Sequence, residues 1–283
     1  MTTPAPRRIW LCADDYGMAP GVNEAIRQLI ACGRINAASV MVTAPAFTAE
    51  EVDALDALNS GARRAALGLH VTLTAPFAPA SNGFHPLRAH HFPRLNEMMR
   101  LTTMRRLSME RLTIEIGTQL GLFLEAFGRP PDFVDGHQHV HLFPQVRDAV
   151  LGVVAQAAPA AWVRQCGRAR GVRGLRDRKA LLLDTLSLRF RAKAARLNLA
   201  TNPAFAGTYD FANADYATIF PRFLTGLPEG GLIMCHPGFV DAALNSLDPL
   251  TVQREREFAF FDSDAFPRLL HQHGIALAAL SAA

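Results

Sequence analysis

Short apolar runs alternate along this chain with longer stretches of helical periodicity, the pattern of repeated β/α units around a parallel sheet. The first run, residues 9–13, stops at Asp14 and Asp15. After a Tyr-Gly turn, Val22, Ala25, Ile26, Leu29 and Ile30 fall at the spacing of one helix face. Further strands are expected at 38–43, 67–73, 133–139, 161–166, 231–235 and 276–280, with the stretch near 197–201 as an eighth. Long helices are expected at 109–127, closed by Gly128-Arg129-Pro130-Pro131, and at 146–157. Seven or eight mainly parallel strands suit an α/β fold of the TIM-barrel type better than a sandwich. Two segments exceed the minimal repeat: 75–100, rich in Pro, His and Phe, and 167–200, rich in Arg. Both follow expected strands, where barrel loops form the catalytic face, and both read as rims around a site.

Composition narrows this picture. With 283 residues, 49% of them hydrophobic and 19% charged, the chain is too apolar for disorder and is expected to form one domain, 1–283. Neither an internal repeat nor a low-complexity linker divides it. The net charge of +4 is local: residues 168–196 hold ten Lys or Arg against two Asp, and the rest of the chain is net acidic. That distribution is no nucleic-acid footprint. The stretch 179–196 reads as a basic helix covering the barrel, or as a peripheral contact with an anionic membrane. The apolar run near the N-terminus is too short for a signal or spanning helix. Cysteines 12, 32, 166 and 235 are far apart, form no CxxC pair, and read as buried free thiols in a reducing cytoplasm. A homodimer is compatible with all of this.

Polar residues at strand ends carry the chemistry, because that is where a barrel projects side chains toward its site. Four such ends stand out: Asp14-Asp15, His70, the run 135–141, and His236. His70 shares the small, polar face of its strand with Gly68, Thr72 and Thr74. Taken alone, such a histidine is better explained by hydrogen bonds to backbone. Asp135, His137, His139 and His141 would share one face of an extended chain, and at about 3.3 Å per residue they span too far for all to bind one ion. One or at most two are candidate ligands. Adjacent aspartates at the end of a buried strand are costly unless a cation compensates them. If Asp15 ligates a metal, Asp14 is placed to serve as general base. Helix capping explains the pair poorly, since the next helix begins beyond Pro20. His236, followed by Pro237-Gly238, suits a general acid delivered as imidazolium, or is simply a turn histidine. Arg164 is a candidate to orient Asp14 or bind substrate, and a structural salt bridge serves equally well. GxSxG, HExxH, GxxxxGK[ST] and GxGxxG are all absent, which argues against a serine hydrolase, a zincin, a P-loop enzyme and a dinucleotide-binding dehydrogenase. A hydrolytic site of two histidines and one carboxylate remains.

Four stretches in register resemble the YdjC-like carbohydrate deacetylases, the family that includes chitooligosaccharide deacetylases and hopanoid-associated deacetylases. They are Ala13-Asp14-Asp15-Tyr16-Gly17, Gly68-Leu69-His70-Val71-Thr72-Leu73-Thr74, Asp135-Gly136-His137-Gln138-His139-Val140-His141-Leu142-Phe143-Pro144 and Cys235-His236-Pro237-Gly238. The resemblance implies a distorted (β/α) barrel, one divalent metal ion (Mg²⁺ or Zn²⁺) held by Asp15, His70 and His137, and an N-acetylated carbohydrate as substrate. It also implies Asp14 as base and His236 as acid, by analogy with the more distant NodB-type polysaccharide deacetylases. Tyr16 stands where the family typically has Phe, which puts a hydroxyl near the expected site, and His139 is a further candidate substrate contact. A metal-dependent phosphoesterase and a non-catalytic sugar or lipid-surface binding protein are the rival readings.

Overall fold

The computed structural model describes residues 5–59, 65–169, 178–211 and 215–279. Its centre is β1 (Arg7–Tyr16), a strand buried along most of its length. Parallel to it on one side run β2 (Ala37–Val40), β3 (Ala66–Val71), β4 (Phe133–Gly136) and β5 (Trp162–Val163). On the other side run β7 (Leu232–Cys235) and β6 (Phe205–Ala206). The two ends of this curled sheet meet through irregular backbone, since the Val163 N–H donates to the Ala200 carbonyl and the Phe205 N–H to the Gly167 carbonyl, each at 2.9 Å. Asn202 fills the gap by exchanging hydrogen bonds with the Gln165 backbone at 2.8 and 3.0 Å. The result is a distorted (β/α) barrel of the expected class.

Helices follow the strands as the periodicity requires. Pro20 opens α1 (Pro20–Ala31), whose flanking residue Ala19 offers no side-chain cap, so neither aspartate caps it. After α2 (Ala49–Asn59) and α3 (Leu95–Thr103), α4 (Met109–Phe127) has the expected bounds. Ser108 caps its start, and Gly128 closes it at φ 62°. α5 (Val146–Ala157) likewise matches. In α6 (Arg178–Arg196), Ala180, Leu183, Ser187, Phe190 and Ala194 are buried, so this basic helix does cover the barrel. Leu182 and Leu188 face outward. The remainder of the basic segment, 170–177, lies outside the described residues. α7 (Tyr216–Leu224), α8 (Ala242–Leu247), α9 (Val252–Asp262) and α10 (Ala265–Gln272) complete the set. Phe220, Phe260, Phe261 and Phe266 interlock at centroid distances of 5.1 to 5.7 Å and seat α9 firmly. Each such buried ring contributes about 1.5–3 kcal/mol.

Several expected bounds are corrected. The strand expected at 133–139 ends at Gly136, and His137–Leu142 coils into 3₁₀ turns broken by left-handed Gln138 and His139. Asp135, His137, His139 and His141 therefore do not share an extended face. The run 161–166 is strand only at β5, and 197–201 supplies a single parallel bridge, Thr201 with Val163. The last strand, β8 (Ile275–Leu277), pairs with Arg7–Ile9 at the start of β1, away from the catalytic end, and residue 280 lies outside the described residues. The 75–100 rim is held down by buried Glu115, which accepts from the backbone N–H groups of Ala80 and Ser81 at 3.0 and 2.8 Å. Cys12, Cys166 and Cys235 are buried free thiols as expected, while Cys32 is exposed. Among the described residues no helix is long and apolar enough to cross a membrane.

Candidate metal centre and active site

Successive residues of a strand face opposite ways, so Asp14 and Asp15 reach one pocket only because β1 is broken there. Its register with β2 shifts between Ala13 and Tyr16, and Asp15 takes φ 75°, a left-handed conformation uncommon outside glycine. Both carboxylates line a cavity of about 460 Å³, together with His70, His137, His139, His236, Phe211 and Arg254. The break turns Tyr16 the other way. Its hydroxyl donates to the Glu51 carbonyl oxygen at 2.7 Å and receives Arg27 Nη1 at 3.3 Å, and its ring is fully buried. Tyr16 does not line this pocket, and its hydroxyl is used up between α1 and α2.

Asp15, His70 and His137 bring one ligand atom each within 4.8 Å of one another. Asp15 Oδ1 lies 2.9 Å from His137 Nδ1 and 3.3 Å from His70 Nε2. Strand register builds the support behind His70, since Asp135 is its partner on β4 and donates no hydrogen itself. Asp135 Oδ1 sits 2.6 Å from His70 Nδ1 and also accepts from the Ser39 hydroxyl on β2. With Nδ1 committed to that carboxylate, Nε2 is the atom that faces Asp15, the carboxylate–histidine arrangement typical of metal ligands. Two imidazoles and one carboxylate with open space beside them fit a divalent ion. Burial alone would push the His70 imidazole down, but Asp135, Asp15 and Asp14 outweigh it and carry it up to about 10. Burial likewise opposes the charge of Asp15, and Arg254 with His137 overcomes it, holding the carboxyl well below its ordinary range.

Arg164, wholly buried, reaches into the barrel from the end of β5. Its two terminal nitrogens grip Asp14 at 2.7 and 2.6 Å, and Nη2 also pairs with Asp135. Its guanidinium thus meets Asp14 and Asp135, and Arg164 does not line the pocket. Cys12, Asp14 and Asp135 also have metal-like spacing, yet the guanidinium stands among them, 3.1 Å from Cys12 Sγ. That cluster is an ion pair.

Residues 8–272 match the family described as YdjC-like protein. This chain belongs to the YdjC-like family. It is 25% identical to a chitooligosaccharide deacetylase of Escherichia fergusonii over 236 residues, 81% of each chain. It is 27% identical to one of Serratia marcescens over 240 residues, 82% of each. A solved structure from Enterococcus faecalis V583, named for cellobiose-phosphate cleavage, superposes with a TM-score of 0.72 at 21% identity and covers 97% of both chains. That likeness shows the fold.

In this YdjC-like chain His236 stands at the end of β7 on the pocket wall, where its backbone N–H donates to Glu257 at 2.6 Å. Its Nδ1 has no hydrogen-bond partner among the described residues. Burial is the main influence on the ring and, with Arg254, pushes it down to about 4 against the pull of Asp15 and Asp14. The other two histidines of the run separate. His139 lines the pocket, with Nδ1 3.5 Å from Cys166 Sγ. His141 is buried and hydrogen-bonds the Arg164 carbonyl at 2.9 Å, fixing the turn that presents that arginine.

Two residues of α9 escaped the sequence reading. Arg254 pairs with Asp15 Oδ2 and Asp248 Oδ2, each at 2.6 Å. Glu257, fully buried and pushed up to about 7 chiefly by that burial, also accepts the Tyr209 hydroxyl at 2.6 Å. In the sequence they sit in Gln253-Arg254-Glu255-Arg256-Glu257, which looks like a solvated face. The available signal is periodic: stepping back from Phe261 by one helical turn gives Glu257, and by two gives Arg254.

Proposed function

We propose that this chain, read as one domain, is a metal-dependent carbohydrate N-deacetylase that hydrolyses the acetamide of an N-acetylated oligosaccharide or glycolipid and releases acetate. One observation carries the reading: the Asp15, His70 and His137 ligand atoms converge beside Asp14 in a single pocket. The named relatives supply the reaction class, since both are chitooligosaccharide deacetylases. A two-ion phosphoesterase is disfavoured, because the other carboxylate cluster among the described residues is filled by Arg164. The unpaired thiols are in keeping with a cytoplasmic setting.

Asp15, His70 and His137 would hold one divalent ion, and their imidazoles favour a zinc-like ion over magnesium. When bound, such an ion supplies Lewis acidity that makes water a nucleophile near neutral pH and polarises the acetamide carbonyl. Asp14, its carboxylate fixed by Arg164, takes the proton of the attacking water. The proton that Asp14 takes from the water passes to His236, which delivers it to the departing nitrogen as the carbon–nitrogen bond breaks. His139 and Phe211 line the space left for the sugar.

The test is acetate release from N-acetylated oligosaccharides and glycolipids, with metal chelated and then restored as Zn²⁺ or Mg²⁺, for wild type and Asp14→Asn. Loss of a general base is expected to lower kcat by roughly 10²–10⁴-fold, and chelation to abolish activity reversibly. Activity that survives both treatments would remove this mechanism.

A further inference from the structure

We propose that Arg254 sets how Asp15 holds a divalent ion: it occupies one carboxylate oxygen, leaves a single oxygen for the ion, and thereby trades binding strength for Lewis acidity. This rests on the metal site proposed above. The two oxygens of Asp15 are visibly divided, with Oδ1 toward His137 and His70 and Oδ2 2.6 Å from Arg254 Nη2. The guanidinium cannot swing aside. Its Nη2 is also tied to Asp248 at 2.6 Å, its Nε donates to the Leu250 carbonyl at 3.0 Å, and its stem lies under the Cys235-His236-Pro237-Gly238 turn. A Cβ at Gly238 would meet Val22 Cγ2 at 3.1 Å, Arg254 Cδ at 3.2 Å and Arg254 Cβ at 3.4 Å, so the glycine of that motif makes room for both Val22 of α1 and this arginine.

The chemistry follows from sign. Asp135, an anionic acceptor behind His70, raises the donor strength of its ligand. Arg254 is a permanent cation behind Asp15 and does the reverse, because it draws charge from the carboxylate that would otherwise go to the ion. Both residues are fully buried, so water screens neither effect. A carboxylate restrained to one free oxygen also keeps coordination positions open, as a catalytic rather than a structural site requires.

The decisive measurement is metal affinity of the full-length protein, by calorimetry or by competition with a chromophoric chelator, using Zn²⁺ and Mg²⁺ in turn. Arg254→Met is expected to bind the ion tighter, with Kd lowered on the order of tenfold, while acetate release falls. Arg254→Lys keeps the charge and is expected to stay near the wild-type Kd. Since the methionine variant strands Asp248, Arg254→Met with Asp248→Asn is measured in parallel after its fold is confirmed by thermal melting. Weaker or unchanged binding in both methionine variants would overturn the proposal, and so would equal tightening in Arg254→Lys. Failure of the wild type to bind either ion would instead remove the metal-site reading itself.

Discussion

Two buried arginines flank the site, and each grips one member of an adjacent aspartate pair. Arg164 rises from inside the sheet and takes both oxygens of Asp14. Arg254 comes from α9, outside the sheet, and takes only one oxygen of Asp15. Neither guanidinium has any exposure. Neighbouring residues of the same type are thus left with different numbers of free oxygens by their counter-cations. Asp14, held on both sides, is aimed but has little left for an ion. Asp15 keeps one oxygen directed at His137 and His70.

The comparison is broken most severely by Arg164→Met. That change leaves Asp14 and Asp135 buried without their shared cation, whereas Arg254→Met leaves Asp15 its two histidines. Removing one partner of a buried ion pair costs about 3–5 kcal/mol, so denaturant unfolding should show a loss of that size. A loss below about 1 kcal/mol would mean that Arg164 does not hold this cluster together.

Asp135→Asn sharpens the contrast from the other direction. The substitution keeps the shape behind His70 and removes its charge, so the ion Kd is expected to rise on the order of 10–100-fold, opposite in sign to Arg254→Met. Titration of both variants at one fixed pH decides the matter, and a shared direction of change would dissolve the distinction between the two supports.

How much of this was legible follows from which features leave marks on residue type. The apolar run of β7 placed its end at Cys235 correctly, and the alternation around His70 placed β3, which stops at Val71 rather than at residue 73, because burial on one or both faces fixes which residues are tolerated. The end of β4 was misjudged because Gln138 and His139 adopt positive φ without being Gly or Asn, so the coil looks like a continuing strand. The break at Asp15 is equally unmarked, although it is what lets two consecutive carboxylates share a pocket. β6 escaped notice because two residues carry no periodicity. Arg254 and Glu257 were hidden for a different reason: a charged residue on a helix is usually solvated, and only the aromatic stripe ending at Phe261 shows that this helix turns those positions inward.

The smallest effect belongs to Tyr16, the residue after the pair. It is served by a third arginine, Arg27, whose side chain is 24% exposed and pairs with Glu51. The Tyr16 hydroxyl joins that pair on the side of β1 away from the pocket, so Tyr16→Phe removes a hydrogen bond and nothing from the site. A stability loss of about 1 kcal/mol is expected, with acetate release and metal Kd unchanged. Chemical denaturation and steady-state assays on the same preparation read both. A clear fall in kcat at unchanged stability would show that the hydroxyl reaches the chemistry, and the break in β1 would then not separate the two faces as the backbone indicates. With the expected result, the three arginines rank by burial: the two that water cannot reach each hold one aspartate of the pair, and the partly exposed one secures only the scaffold beside them.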